Sequence, residues 1–312
     1  MNSFLRYLWL VLVLVLATTT ALAQSQSPWK SLDGESFSIL YQRKDSLNAQ
    51  NIFNILSEDF FSINYEIKAN VATPIQVFIA PTKSGFQHLT NSSIPHWGEA
   101  VAIPSQQKII VKSPRWHRPS QQLRIILNHE LVHVLAGIAT GQTRLPRWFN
   151  EGLAIYVSGD LRYIDGKELP HAVANDQVLK LKEIDSVLSF HQLRANLAYQ
   201  QSFATIQYIV EAYSHTSLPK LLNYIAEFKD FNRGFHKTFG FTITQFELEF
   251  RQYLEKKYQY SFLLDFESWL WALMLLLFFL AVGIKKYRNH KKLQQWENEQ
   301  PNYDLEDYSD NW

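Results

Sequence analysis

The chain has 312 residues, of which 46% are apolar, 19% charged and 14% aromatic, and it contains no cysteine. The 30 lysines and arginines against 29 acids leave a formal charge of +1, which excludes the basic balance of a nucleic-acid binder and the charge excess of a disordered chain. Without cysteine there is no disulfide scaffold, zinc ribbon, iron–sulfur cluster or thiol nucleophile, so any metal must be held by His, Asp or Glu.

Arg6, the apolar run Leu8 to Ala17 and the small-residue ending Ala21-Leu22-Ala23 predict a signal peptide over residues 1–23, with an uncleaved anchor helix as the alternative. Phe37 to Tyr41 alternates like a strand, and Ser46 to Ile63 carries Leu47, Ile52, Ile55, Leu56 and Phe60 at helical spacing. Ile75 to Ile79 reads as a strand between Pro74 and Pro81, followed by a short helix over Lys83 to Leu89. Trp97 to Ile103 and Lys108 to Lys112 form a hairpin pattern joined by Pro104 to Gln107. From Gln121 to Ile138 the period is helical, with Gly137 and Gly141 marking the exit, and from Pro146 onward the pattern is helix and loop. The fold class is therefore α+β, mixed first and mostly helical afterwards.

Ser268 to Ile284 carries no charge and rises about 25 Å as a helix, against about 30 Å of bilayer hydrocarbon. Trp269 and Trp271 stand where an aromatic belt belongs, and Lys285, Lys286, Arg288, Lys291 and Lys292 follow as a cytoplasmic flank. A buried core helix is the competing reading. Residues 263–284 are thus expected to be a transmembrane region, 285–312 a disordered cytoplasmic tail and 24–262 an exported ectodomain. That describes a single-pass protein of a cell membrane, and an exported domain without cysteine suits a bacterial envelope.

His129-Glu130-Leu131-Val132-His133 is an H-E-x-x-H. Residues four apart share a helix face, so His129 and His133 can turn two imidazoles to one ion, with Glu130 flanking it. Leu127, Leu131, Val132, Val134 and Leu135 embed the pair in a core helix. A catalytic zinc normally takes three protein ligands. Glu151, 18 positions after His133, is the best third candidate; a surface carboxylate at a helix start is the alternative.

The stretch Trp148-Phe149-Asn150-Glu151-Gly152-Leu153-Ala154, following the H-E-x-x-H, resembles the W-x-N-E-G-x-A of the gluzincin metallopeptidases, in particular peptidase MA-like domains related to the aminopeptidase N group. The resemblance implies a gluzincin-like fold: a small mixed sheet with an edge strand packed on the H-E-x-x-H helix, then a mostly helical half. It implies one Zn2+ per chain held by His129, His133 and Glu151, with Glu130 as general base for a zinc-activated water. Tyr199-Gln200-Gln201-Ser202-Phe203-Ala204 resembles the helix start whose tyrosine hydrogen-bonds the tetrahedral intermediate, which gives Tyr199 that role or leaves it a packed helix residue. Asn150 stands either behind a ligand or at a helix N-cap. Of the other histidines, His171 is the nearest to an additional site member. The aminopeptidases' G-x-M-E-N is replaced by Gly98-Glu99-Ala100-Val101-Ala102, which offers an edge strand to an extended peptide but no amine clamp, so an endopeptidase is expected. The partners implied are a peptide or protein substrate and the membrane through one C-terminal helix. The competing class is a catalytically silent gluzincin fold that binds or assembles envelope proteins.

Overall fold

The computed structural model describes residues 29–91, 98–119, 122–160, 166–189, 192–259 and 266–299. The signal-peptide reading, Trp97, His96, His191 and the last 13 residues lie outside them. The chain divides into two compact units, Met1–Lys256 and Lys257–Trp312.

The first unit opens with a five-stranded mixed sheet: β1 (Trp29–Asp33), β2 (Phe37–Gln42), β3 (Ile75–Ala80), β4 (Ala100–Ile103) and β5 (Lys108–Lys112), in the order β1-β2-β3-β5-β4. The β2–β3 and β3–β5 pairs are parallel, while β1–β2 and β4–β5 are antiparallel. The register places Phe37, Ile39, Ile75, Val77, Ile79, Ile109 and Val111 on one face, and all are buried. That face is covered by α1 (Ser46–Ile67) and α3 (Leu123–Ala139). The opposite face carries Ile110 and Phe78 under α2 (Lys83–Leu89) and Trp116.

Strand β1 was not legible in the sequence. Its residues are mostly exposed, so Trp29-Lys30-Ser31-Leu32-Asp33 carries little alternation; it is held by pairing with β2 and by Trp29, which meets Phe78 edge-on at 5.6 Å. The hairpin forms as expected, with a 3-10 turn at Pro104–Gln106 and Gln107 in the left-handed region at φ 48. Gly137 does not end α3. It lies inside the helix, where a Cβ would come within 2.5 Å of Pro104 Cβ, so its missing side chain admits the hairpin turn.

Helix α3 is docked to α1 by polar contacts as well as apolar ones. Arg124 donates to Asp59 Oδ1 (2.5 Å) and Glu58 Oε2 (2.6 Å), and the Asn128 amide, buried beside the first histidine, donates to Asp59 Oδ2 (2.7 Å). Asp59→Ala strands the buried Asn128 donor and should lower the unfolding free energy by about 1–3 kcal/mol, read as a shifted urea midpoint.

The helical half consists of α4 (Arg147–Ser158), α5 (Glu168–Ala174), α6 (Gln192–Tyr213), α7 (Ser217–Phe228), α8 (Phe231–Phe239) and α9 (Ile243–Tyr258). Its core is aromatic: Trp148 meets Phe231 edge-on at 5.7 Å, and Phe246 stacks on Phe250 at 6.2 Å.

In the second unit α10 (Phe266–Glu299) contains Trp269–Trp296, which among the described residues is the helix long and apolar enough to cross a membrane. The expected disorder from Lys285 does not hold as far as Glu299. Lys, Arg, Gln and Glu are good helix formers, and no proline interrupts them before Pro301.

Candidate metal centre

His129 and His133 sit one turn apart on α3. Around them Leu127, Leu131, Val132, Val134 and Leu135 are fully buried, so the helix presents an apolar flank to the core and an imidazole pair to the other side. The rings pack edge to face with centroids 4.8 Å apart. Thr140 closes the helix, its hydroxyl donating to Ala136 O (2.8 Å), and Gly141 at φ 57 turns the chain toward α4.

Helix α4 starts at Pro146, whose ψ of 143 lies outside the helical range. Asn150 is therefore not an N-cap: its N–H donates to Pro146 O (3.0 Å) within the first turn. Trp148 and Phe149 are driven into the aromatic core, which turns Glu151, two and three residues on, toward α3. Gly152 is what lets α4 come close to α6. A Cβ there would lie 2.2 Å from Ser202 O and 2.8 Å from Ile206 Cγ1.

The two helices converge on one point. Glu151 Oε2 lies 3.7 Å from His129 Nε2 and 3.8 Å from His133 Nε2, with the three side chains only 11–15% exposed. One donor atom from each of the three falls within 4.8 Å of the others. Tetrahedral zinc with bonds of about 2.1 Å separates neighbouring ligand atoms by about 3.4 Å, so Glu151 would close on each histidine by a few tenths of an ångström, while the widest donor separation, up to 4.8 Å, would draw in by more than an ångström as the side chains turn to the ion. Two neutral nitrogens and one carboxylate oxygen, sheltered but not sealed, are the donor set that zinc takes. The residues fit it.

The charge state of Glu151 agrees with this. Burial pushes its pKa upward, but the close approach of His129 and the positive charges that His133, His129 and Arg147 carry when protonated outweigh burial and bring it down to about 2. The carboxylate is thus ionised throughout the neutral range, as a metal ligand would have to be.

Asp160 escaped the sequence reading. It is fully buried, and its Oδ2 lies 3.8 Å from His129 Nδ1, on the side of the ring away from Glu151. The signal for it was the Gly159-Asp160 pair: Gly159 ends α4 at φ 68 with its N–H on Ile155 O, and Asp160 N donates to the same carbonyl (3.2 Å), folding the chain back over α3.

Glu130 is half-buried on α3 beside His129. Tyr199 is half-buried on α6, and it is not at a helix start: Gln192 to Ala198 continues the helix two turns upstream, having no breaker to stop it. Tyr199 precedes Ser202 by three residues, about 4.5 Å along the axis, so it lies within one turn of the point where α4 crosses. The next two residues fix this part of α6. Gln200 accepts from Leu169 N (2.9 Å), and Gln201 accepts from Leu179 N (3.0 Å) while donating to Leu179 O (2.6 Å). His171, exposed on α5, does not join the metal group; it lines a separate cavity of about 950 Å³ with Glu168, Leu179 and Leu197.

Among the described residues strand β4 is an edge of the sheet, and it packs on α3. Lys112 N donates to Glu99 O, so the antiparallel alternation gives Val101 and Ile103 to β5 and turns the backbone N–H and C=O of Ala100 and Ala102 outward. Glu99 itself faces His117, with Oε1 3.7 Å from Nε2.

Among curated proteins, the uncharacterized protein YhcO of Bacillus subtilis (strain 168) is 22% identical over 162 residues, spanning 51% of this chain and 44% of the relative, so the chain matches less than half of that protein's length. The family model described as Peptidase MA superfamily matches residues 58–256, a stretch that begins within α1 and takes in both histidines, Glu151, Asp160 and the helical half. The chain belongs to the Peptidase MA superfamily.

Proposed function

We propose that this protein is a membrane-anchored zinc metallopeptidase that hydrolyses peptide bonds as an endopeptidase, held by α10 with its family domain on the exported side. The observation that carries the reading is the convergence of His129 Nε2, His133 Nε2 and Glu151 Oε2 from two helices, within a chain of this superfamily.

His129, His133 and Glu151 would hold the ion. What zinc supplies when bound is Lewis acidity toward a carbonyl and the ionisation of water near pH about 7. The remaining roles belong to the chain. Ala100 and Ala102 pair an extended substrate along the open edge of β4, which fixes the scissile bond without requiring a free terminus. Glu130 accepts a proton from the attacking water and returns it to the leaving nitrogen as the C–N bond breaks. Tyr199 donates to the oxygen that becomes negative as the carbonyl carbon turns tetrahedral, a contact of a kind worth about 3 kcal/mol.

The test is metal content and cleavage measured on the full chain in detergent. Wild type is expected to carry one zinc per chain and to cut a mixture of blocked, quenched peptides. A chelator should stop the cleavage, and His133→Ala should remove the zinc. A wild-type protein that binds no zinc sinks the proposal. Bound zinc with no turnover on any peptide or protein favours the silent binding module instead; the carboxylate retained at Glu130, for which a scaffold has no chemical need, speaks against that outcome.

A further inference from the structure

We infer that Asp160 is a positioning residue of the metal centre: it holds the Nδ1–H of His129, fixing the tautomer and ring plane that leave Nε2 as the metal-facing atom. The inference rests on the proposed zinc reading for its purpose, but its geometry stands in the chain alone.

A neutral imidazole carries one N–H, and it can serve a metal through Nε2 only if that hydrogen stays on Nδ1. An acceptor beside Nδ1 makes this choice. In this protein the two faces of the His129 ring are divided between two carboxylates: Glu151 Oε2 lies 3.7 Å from Nε2, and Asp160 Oδ2 lies 3.8 Å from Nδ1. The Nδ1 atom is buried, so water cannot stand in for the carboxylate, and Asp160 is itself wholly removed from solvent. Placing an acid there costs desolvation unless it is used electrostatically. At 3.8 Å the contact is longer than a hydrogen bond; closing it takes a movement of several tenths of an ångström, shared between the imidazole as it draws toward an ion and the facing carboxylate.

The placement is built by the same helix that carries Glu151. Helix α4 presents Glu151 from its second turn, and its left-handed cap at Gly159 swings Asp160 back against α3. Among the described residues nothing lies within 4 Å of a Cβ at Gly159, so there the glycine serves its φ and not space. His133 differs. Its Nδ1 is buried and has no carboxylate within ion-pair distance among the described residues, so the orienting carboxylate serves His129 alone.

The experiment uses the full chain in detergent, with Asp160→Asn and Asp160→Ala. Zinc affinity by chelator competition at one fixed pH should fall by about 10–100-fold in both variants. Nitrogen-15 spectra of histidine-labelled, metal-free protein should show His129 as the Nδ1–H tautomer in wild type. In Asp160→Ala, which removes the acceptor, His129 should lose that preference while the His133 signal stays in place; Asp160→Asn, which keeps a carbonyl acceptor but not the charge, should lose it less. A packing role alone would lower the melting temperature and disturb both histidines together. Zinc affinity within twofold of wild type, or an unchanged His129 tautomer, overturns the inference while leaving the zinc reading intact. If wild type binds no zinc but the His129 tautomer still depends on Asp160, the positioning role stands and the zinc reading falls.

Discussion

Glu130→Gln is expected to lower peptide hydrolysis by about 10²–10⁴-fold, the range that a positioned general base supplies, with zinc content, melting temperature and Km nearly unchanged. The substitution keeps the shape and the hydrogen-bonding reach of the side chain and removes only its ability to take and return a proton. The proposed metal donors lie elsewhere: His129 and His133 flank Glu130 in the chain, and Glu151 comes from α4. Loss of turnover with the zinc retained therefore isolates the proton transfer from metal binding. Single-turnover rates on a quenched peptide, across pH 5 to 9, provide the check. If the variant cleaves within tenfold of wild type, Glu130 is not the base. Loss of zinc with the substitution would instead show that the side chain acts through the site's structure. Tyr199→Phe makes a graded comparison, because one neutral donor to a developing oxyanion is a smaller term than the base.

What the sequence made legible, and what it hid, follows from where the determining interactions lie. The histidine pair was readable because four-residue spacing on a helix is a local property, and the apolar run around it marked the helix as core. Glu151 was readable only through its surroundings. Trp148 and Phe149 are buried because the aromatic core of α8 and α9 needs them, and that burial turns the glutamate toward α3. The Asp59–Arg124–Asn128 network and the approach of Asp160 to His129 were not readable, because each joins residues whose contact exists only after helices have packed across long stretches of chain; the Gly159-Asp160 pair signals a helix end but not what it meets. Strand β1 was hidden for the opposite reason: it contributes little to the core, so it leaves no hydrophobic period to detect. The helix past Lys285 was not anticipated because the tail lacks aliphatic periodicity, yet a run of helix formers continuing an existing helix meets no nucleation cost and extends to Glu299.

Gly152→Ala should be the most damaging single substitution of a residue with no chemistry of its own. A methyl group at this position would overlap Ser202 O at 2.2 Å and Ser202 C at 2.7 Å, and both are backbone atoms of a buried helix that cannot swing aside. Helices α4 and α6 must then separate, which opens the aromatic core around Trp148; overpacking of this severity costs about 3 kcal/mol or more. The damage reaches the metal centre because Glu151 is the adjacent residue. Moving α4 away from α6 shifts Glu151 Oε2 against histidines that α3 holds fixed, so zinc affinity should fall along with stability. Gly159→Ala is the informative contrast. Among the described residues no atom lies within 4 Å of its added methyl, so its cost is that of a φ of 68, about 1–2 kcal/mol. Urea titrations of both variants, with zinc affinity measured on the fraction that remains folded, separate the two mechanisms. A Gly152→Ala midpoint equal to that of wild type would show that the crossing can relax, and the glycine after the third ligand would then need another explanation than close helix packing.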